Sequence, residues 1–254
     1  GNQIVMIFLN YLMTRNKELG LLKGNEYIVK TIVTTETIKT IAERNGFKMY
    51  DCYTGFKWIA SVIRENEGKA RYIGGGEESY GFLPEDFVRD KDAVSACAIL
   101  AEIAAWAKDQ GITMYQLLQN IYVQYGFSKE KGISVVKKGK SGAEEIEAMM
   151  KHFRENPLQE IAGSKVTLFY DYASLKGKDY VENETLTLDM PTTSNVLQYF
   201  TEDGTKVSIR PSGTEPKIKF YCEVHSKVKS LDELPAAEKA GAEKIEAIKA
   251  SLGI

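Results

Sequence analysis

The fold is decided by residues 27–53, YIVKTIVTTETIKTIAERNGFKMYDCY, in which the hydrophobic pattern changes twice. The β-branched segment 27–34 indicates a strand, segment 35–45 has helical spacing and ends before Gly46, and segment 47–53 indicates a second strand. Strands that alternate with helices are typical of a parallel sheet with helices on its faces. The stretch therefore predicts one βαβ unit of an α/β domain.

A second unit of the same kind follows the first. A helix is predicted over 55–66, with Thr54 as its N-cap and Gly68 beyond its end, and a short strand is predicted at 71–73. Ligands of parallel sheets bind at the loops that follow the carboxyl ends of the strands. The loop to consider is therefore 74–81, GGGEESYG.

Two more helices complete the predicted domain. Asp92 is expected to cap the first, and Thr113 with Gln116 forms a capping box for the second, which ends at Gly126. The residues of the first helix that we expect to be buried are Ala96, Ile99, Leu100, Ile103 and Ala107.

The rest of the chain predicts a smaller α+β domain, so the fold class is α/β followed by α+β. A polar, Lys- and Gly-rich stretch at 126–142 holds only a short strand, 133–136, and we place the domain boundary near residue 128. The two domains are then 1–128 and 129–254. The further elements expected are a helix at 143–154, a strand at 166–171, a pair of strands at 185–188 and 196–200, a turn at 203–204, strands at 207–210 and 217–224, and a helix at 235–252.

Composition limits the class of protein. A hydrophobic fraction of 43% and a charged fraction of 27% fit a soluble globular chain, and a formal charge of -2 gives no electrostatic reason to expect nucleic acid as a partner. No apolar run approaches the roughly 20 residues that cross a bilayer, so no membrane partner is expected. Cys52, Cys97 and Cys222 have no paired spacing, which favours a reducing, cytoplasmic location. His152 and His225 are isolated, and we expect no metal site in this chain.

The first residues lead at once into an apolar run, Ile4–Leu9, that other structure must cover. We expect from this start that the chain is part of something longer.

The most informative segment for function is 208–217, SIRPSGTEPK. Arg210 offers a planar fork for phosphate oxygens, the hydroxyls of Ser212 and Thr214 can donate hydrogen bonds, and backbone N–H groups around Gly213 can form an anion nest. The segment is therefore a candidate phosphate-binding loop. The alternative is a plain hairpin turn in which Arg210 forms a surface ion pair.

Two segments of the first domain are weaker candidates. Gly76, Glu77 and Ser79 combine close backbone approach with the carboxylate and hydroxyl that bind sugar hydroxyls, although such turns are commonly solvated connections. Lys91, in the segment RDKD at 89–92, is a candidate proton-transfer residue if its amine is desolvated. The alternative for Lys91 is a surface lysine in a local ion pair.

These segments resemble motifs of the α-D-phosphohexomutases. RPSGTEPK at 210–217 is similar to the phosphate-binding loop of the family's last domain, and GEES at 76–79 looks like its sugar-binding loop, in the family's order and spacing. RDKD resembles the family's RxKD segment. The resemblance implies that Glu77 and Ser79 hold two hydroxyls of a hexose and that Lys91 is the general acid or base. It also implies that the loop of Arg210, Ser212, Gly213 and Thr214 grips the phosphate that does not react.

The resemblance covers nearly the whole chain as the family's third and fourth domains. The family's phosphoserine loop, TASHNP-like, and its magnesium loop, DGDxDR-like, occur nowhere in these 254 residues. The chain therefore resembles the substrate-binding half of an intramolecular phosphotransferase that interconverts hexose 1-phosphate and 6-phosphate through a phosphoserine and a 1,6-bisphosphate. The resemblance implies that the fragment is inactive alone, that its partners are a hexose phosphate and the missing N-terminal domains, and that magnesium and glucose 1,6-bisphosphate serve the full-length enzyme rather than residues of this chain.

The substrate and the class of protein leave alternatives. Glucose phosphate is favoured because GEESYG resembles the phosphoglucomutase version of the loop more than GEMSGH or GEQSGH. A phosphomannomutase or a pentose phosphomutase is the alternative enzyme. A noncatalytic sugar-phosphate-binding module is the alternative class. The apolar start at Ile4 argues against it, because a natural domain rarely begins with a strand or helix that needs absent neighbours.

Overall fold

A computed structural model describes the chain at residues 1–137, 139–213 and 215–254. The described chain divides into two units. The first unit comprises residues 1–127 and 227–234, and the second comprises residues 128–226 and 235–254. No helix in the described ranges combines the length and the apolarity needed to span a membrane.

The first unit is a mixed, mainly parallel α/β domain, as the sequence predicts. Its central sheet has the order β2-β1-β3-β4, in which β1 pairs in parallel with β2 and β3 while β4 runs antiparallel to β3. Its elements are α1 (Asn2–Glu18), β1 (Glu26–Thr31), α2 (Thr37–Asn45), β2 (Lys48–Cys52), α3 (Phe56–Asn66), β3 (Arg71–Gly76), β4 (Phe82–Leu83), α4 (Ala93–Asp109), α5 (Met114–Tyr125) and a 3₁₀ turn (Leu231–Glu233).

The apolar start of the chain is covered by the first unit itself. Residues Val5 to Leu9 lie in α1 and none is more than 4% exposed. Helix α1 packs on β3, and the ring of Phe8 stacks on Phe82 with centroids 4.1 Å apart. The expectation that this run needs absent neighbours was therefore wrong, because glycines in β3 let the helix approach. A Cβ built on Gly74 would lie 3.1 Å from the side chain of Leu9.

Two predicted boundaries in this unit were wrong. Helix α3 begins at Phe56 with Gly55 as its N-cap, and no side chain caps it, so Thr54 does not have the predicted role. Gly55 has φ 109, a conformation that glycine adopts without strain. Strand β3 continues to Gly76, so the loop after it comprises only residues 77–81.

The caps of the last two helices of the unit are confirmed, but the predicted burial of α4 is only partly so. Asp92 accepts hydrogen bonds from the N–H groups of Val94 and Ser95, and α5 has its complete capping box. Only Ile103 and Ala107 of α4 are buried. Ala96, Ile99 and Leu100 are half-buried. This helix is apolar on most of its surface, so helical spacing does not single out one face.

The second unit is an α+β domain with an antiparallel sheet, again as predicted. The sheet has the order β5-β12-β11-β10-β7-β8-β9, and β6 pairs with β7 off this path. Its elements are β5 (Phe127–Val136), α6 (Gly139–Glu155), β6 (Glu160–Ile161), β7 (Ser164–Asp171), β8 (Lys176–Asp179), β9 (Glu184–Thr187), β10 (Leu197–Thr201), β11 (Lys206–Pro211), β12 (Lys217–Ser226) and α7 (Leu234–Leu252).

The core of this unit lies between the sheet and its two long helices. Buried apolar residues of β11 and β12 pack with those of α6 and α7 in one cluster. The predicted inward alternation along β12 is confirmed, and its members are Ile218, Phe220, Cys222 and Val224. The predicted turn at 203–204 is also present, with Gly204 at φ 82.

The predicted pairing and extent of several strands in the second unit were wrong. The expected pair does not form, because β9 pairs with β8 whereas β10 lies between β7 and β11. Strand β8, with the sequence KGKD, has too little hydrophobic pattern to be predicted. The polar stretch around residue 128 is largely strand β5, whose neighbour in the sheet is β12. At the edge of a sheet, lysines and glycine are tolerated because one side of the strand faces solvent.

Candidate functional site

The first candidate site is the tight turn 77–81 between β3 and β4. Glu77 donates its backbone N–H to the carbonyl of Gly81, with N and O 3.0 Å apart. Gly81 lies against Phe56, so a Cβ at this position would be 2.3 Å from a ring carbon. Ser79 is exposed and Glu77 is half-buried, so both side chains can reach a ligand outside the strand end.

The carboxylate of Glu77 is held at the N-terminus of α3. The N–H of Gly55 donates to Glu77 Oε2 over 3.3 Å. The first N–H groups of a helix have no partner within it, and the helix dipole favours negative charge there. Glu77 therefore has one oxygen directed by α3, which orients the side chain before any ligand arrives.

Gly76 has a packing reason to be glycine. It lies inside β3, buried and paired with Phe82. A Cβ on it would lie 2.8 Å from the carbonyl oxygen of Gly81 and 2.9 Å from Val5 Cγ2. Its role in substrate binding stays a prediction.

Lys91 lies close to the same turn through a shared neighbour. Its Nζ is 5.7 Å from the centroid of the Phe56 ring, the ring that backs Gly81. The amine is also 3.1 Å from Asp90 Oδ1, and 54% of the Lys91 side chain is exposed. The hydrogen bond from the Lys91 side chain, together with that from its backbone, lowers the pKa of the Asp90 carboxyl. The local ion pair is thus present, and the desolvation that proton transfer requires is not supplied by this arrangement.

The second candidate site is the loop between β11 and β12. Arg210 is half-buried at the end of β11, and Gly213 is exposed with open space around its α-carbon. The loop closes where Ser212 donates its N–H to the carbonyl of Lys217 over 2.8 Å. Glu215 and Lys217 also form an ion pair. Thr214, the remaining predicted phosphate ligand, lies outside the described residues.

Sequence reasoning missed Lys219, which the register places opposite Arg210. The two residues are cross-strand partners in the antiparallel pair of β11 and β12. Side chains of directly opposed residues lie on the same face about 5 Å apart, and like charges there repel. A bound anion would relieve that repulsion. The hydrogen bond between Ser212 and Lys217 sets the register, so that Pro211 pairs with Ile218 and Arg210 with Lys219. The sequence alone does not show this hydrogen bond.

A cavity of about 280 Å³ lies on the α6 side of this loop. Its lining residues are Ala143, Ile146, Glu147, Met150, Asn195, Pro211, Ser212, Glu215, Pro216 and Lys217. Val207 and Ile209 of β11 face the core that includes α6, so strand alternation places Arg210 on the opposite face. The cavity is therefore not the space in front of the Arg210 guanidinium.

In the described part of the chain, the side chains that commonly bind a metal ion do not cluster. Within the described ranges, no three His, Cys, Asp or Glu side chains form a group that could hold one.

Two family models account for most of the chain. Residues 1–125 match alpha/beta/alpha domain III of phosphoglucomutase/phosphomannomutase, and residues 135–241 match the C-terminal domain of the same family. The chain belongs to the phosphoglucomutase/phosphomannomutase family. The resemblance of the sequence motifs to this family is thereby confirmed.

Phosphoglucomutases of Staphylococcus aureus are similar in sequence. That of strain MRSA252 is 38% identical over 221 residues, which cover 87% of this chain and 39% of the relative. That of strain MSSA476 is 37% identical over 234 residues, covering 92% and 41%. The chain thus spans about two-fifths of the length of the curated relatives it matches.

Solved structures of the family share the fold. The open form of pp63/parafusin, a phosphoglucomutase from Paramecium, has a TM-score of 0.56 at 19% identity and covers 97% of this chain and 41% of its own. A phosphoglucomutase/phosphomannomutase family protein from Burkholderia thailandensis has a TM-score of 0.56 at 17% identity, covering 98% and 41%.

Proposed function

We propose that this chain is the sugar-phosphate-binding part of a phosphohexomutase that interconverts hexose 1-phosphate and hexose 6-phosphate. The observation that carries the proposal is the loop 210–217, which joins two strands of the unit that matches the family's C-terminal domain. It sets Arg210 opposite Lys219 beside the Ser212 turn. Two neighbouring cations favour an anion such as phosphate, although the carboxylate of Glu215 in the same loop also interacts with the charge of Lys219.

Each loop has a separate part in binding. Arg210, Ser212, Gly213 and Thr214 hold the phosphate that does not react, with Lys219 adding charge. Glu77 and Ser79, which follow Gly76 at the end of β3, bind hydroxyls of the sugar ring. A carboxylate accepts from neighbouring hydroxyls, and the Gly55 N–H supports Glu77 in an orientation suited to that task.

The reaction of the longer protein requires groups that this chain does not contain. A phosphoserine would transfer its phosphoryl group to the hexose 1-phosphate, and the 1,6-bisphosphate would turn over and return the other phosphoryl group to serine. Transfers of this kind depend on positioning and charge stabilisation. This chain's share is binding, with Lys91 holding or accepting the proton of the reacting hydroxyl once its amine is shielded from water. Magnesium and glucose 1,6-bisphosphate would serve the longer protein.

The division of labour follows the two units. We place sugar binding in residues 1–128 and phosphate binding in residues 129–254, and the change of unit after Phe127 supports this division. One segment within the second range, residues 227–234, belongs to the first unit. Glucose is the favoured sugar, with mannose phosphate or a pentose phosphate as alternatives.

A second candidate function is a noncatalytic sugar-phosphate-binding module. The specific observation in its favour is that the apolar run in α1 is buried by the first unit itself, with Val5, Met6 and Leu9 at 0% exposure. Both candidates require the two loops to bind sugar phosphate. Mutase activity of the longest polypeptide that contains this chain separates them, because only the first candidate predicts any.

The test of the proposal is a calorimetric titration of the chain with glucose 1,6-bisphosphate, glucose 1-phosphate, mannose 1-phosphate and inorganic phosphate. We expect each sugar phosphate to bind more tightly than inorganic phosphate, and the glucose compounds more tightly than the mannose compound. Equal affinities for sugar phosphate and inorganic phosphate in a folded chain would refute sugar binding. A clear preference for mannose 1-phosphate would refute only the choice of glucose and would leave sugar binding supported.

A further inference from the structure

The turn 77–81 contains a residue in a strained conformation. Tyr80 has φ 70, in the left-handed region that bulky residues avoid, and its side chain is 78% exposed. Residues in such conformations persist only where surrounding contacts hold them. The bond from the Glu77 N–H to Gly81 closes the base of the turn. Gly1 also packs against the tip, where a Cβ on it would lie 1.7 Å from the carbonyl oxygen of Glu78 and 2.9 Å from the N atom of Tyr80.

A buried pair of hydroxyls lies beneath this tip. Thr31 and Thr34 are both 0% exposed, and their Oγ1 atoms are 2.7 Å apart. One hydroxyl donates to the other, and the hydroxyl that accepts keeps a proton of its own. The pair can therefore donate one more hydrogen bond, and an acceptor nearby determines its direction.

The hydroxyl pair is fixed by an ionic cluster at the end of β1. Lys30 is fully buried, with its Nζ 2.7 Å from Asp51 Oδ1 and 2.9 Å from Glu36 Oε1. It also contacts the carbonyl of Thr34 at 3.5 Å. Burial opposes the charged form of Lys30, but the two carboxylates raise its pKa. These contacts tie the segment from Thr31 to Glu36 to β1 and to β2.

We propose that Glu78 is a positioning residue of the sugar-binding turn, anchored on the hydroxyl pair of Thr31 and Thr34. Glu78 Oε2 lies 3.4 Å from each Oγ1, so one carboxylate oxygen meets both hydroxyls. Glu78 stands between Glu77 and Ser79 in the sequence. Holding its side chain on the sheet therefore fixes the directions of the two neighbours proposed to bind sugar.

The inference rests on the proposed function, and it makes Glu78 act only through its neighbours. Removing the carboxylate breaks the hydrogen bond that joins the strained turn to the hydroxyl pair. Sugar recognition should then weaken. Binding of inorganic phosphate depends on the second unit and should not change.

The experiment uses the chain with the substitutions Glu78→Ala, Glu78→Gln, Thr34→Val and the double variant Glu78→Ala/Thr34→Val. Glu65→Ala is the matched control, because Glu65 is an exposed carboxylate on α3 of the same unit. Calorimetry with glucose 1,6-bisphosphate and inorganic phosphate gives the affinities. Hydrogen exchange of the Glu77 amide in the ligand-free chain reports on the turn without any ligand.

We expect Glu78→Ala to weaken bisphosphate binding about tenfold and to speed exchange of the Glu77 amide, with inorganic phosphate unaffected. Thr34→Val leaves Thr31 as a donor to Glu78, so it should act in the same direction with a smaller effect. The double variant should lose no more than Glu78→Ala alone, because the carboxylate is common to both contacts. Glu78→Gln keeps an acceptor oxygen and should recover most of the affinity. Glu65→Ala should match the parent chain.

The outcomes separate the anchor from the function on which it rests. A Glu77 amide that exchanges equally fast in the parent and in Glu78→Ala would overturn the anchor, whatever the ligand does. Additive losses in the double variant would overturn it as well. If the parent chain binds bisphosphate no better than phosphate, the proposed function fails and the role in sugar recognition fails with it, whereas slower exchange in the parent than in Glu78→Ala would still support the anchor.

Discussion

Lys206 and Glu223 form an ion pair that is almost completely buried in the second unit. Lys206 Nζ lies 3.1 Å from Glu223 Oε2, and the two side chains are 1% and 3% exposed. They are cross-strand partners in β11 and β12, four residues before Arg210 along β11. The other oxygen of the same carboxylate, Oε1, lies 2.7 Å from His225 Nε2. One buried carboxylate thus serves two basic groups.

Breaking this pair from one side should destabilise the second unit strongly. Lys206→Met leaves Glu223 buried and charged, and we expect a loss of about 3 to 5 kcal/mol in the free energy of unfolding. Replacing both partners, as in Lys206→Met/Glu223→Leu, should recover most of that loss because no buried charge is left alone. Urea unfolding at pH 7 measures both. A double variant that is as unstable as the single one would contradict the assignment.

The stability of this cluster should depend on the protonation of His225. Burial opposes the charged form of the ring, but the hydrogen bond and charge of Glu223, with the charge of Glu130, raise the pKa of His225 above 6.5. Lys206 lowers it by a smaller amount. When His225 is neutral, the charges of Glu223, Glu130 and Lys206 sum to one negative charge. Protonation of His225 adds a positive charge and brings the sum to zero.

The raised pKa fixes the direction of the pH effect. A folded-state pKa above the unfolded value means that the contribution of His225 is complete below about pH 6.5 and is lost as pH rises through the folded pKa. We therefore expect His225→Gln to be less stable than the parent at pH 6, with the gap smaller at pH 9. His152→Gln, at an exposed helical position, is the control. A gap that does not change with pH would contradict this prediction.

The phosphate loop gives a prediction that combines affinity and charge. Arg210→Ala should weaken the binding of glucose 1-phosphate by about 1 to 3 kcal/mol, the scale of a lost charge-assisted hydrogen bond. Lys219→Ala should weaken it by a smaller amount, because the Lys219 charge lies opposite Arg210 in the register. Lys165→Ala, an exposed lysine on β7, is the control for charge. Unchanged affinity in folded Arg210→Ala would exclude the loop as the phosphate site.

The sequence predicts the fold well where one face of an element is buried. The βαβ pattern of 27–53 and the inward alternation of β12 gave the sheet types of both units. Prediction failed for part of the buried face of α4, which is apolar on most sides, and for β8, whose sequence KGKD has no apolar alternation. It also failed for strand order in the second sheet, because order depends on contacts between residues far apart in sequence.

The site was predictable only where a motif holds neighbouring residues. Glu77, Ser79 and Arg210 could be named from their segments, whereas Lys219 required the strand register. The contacts of Glu78 with Thr31 and Thr34 join residues more than 40 positions apart in the sequence, so no local sequence pattern indicates them. The hydrogen bond from the Gly55 N–H to Glu77 was not predicted, because the local sequence favours Thr54 rather than Gly55 as the N-cap of α3.

The close contact between Gly81 and Phe56 gives a prediction about the sugar-binding turn itself. A Cβ at position 81 would lie 2.3 Å from a carbon of the Phe56 ring, so Gly81→Ala must displace either the ring or the turn. We expect a loss of about 1 to 3 kcal/mol in the free energy of unfolding, the scale of an overpacked core, and weaker binding of glucose 1,6-bisphosphate. Gly132→Ala is the matched control, because a Cβ there meets nothing within 4 Å. Phe56→Leu should partly rescue Gly81→Ala by vacating the space that the new methyl group needs. If the double variant is no better than Gly81→Ala in both unfolding and binding, the ring is not what requires glycine at this position.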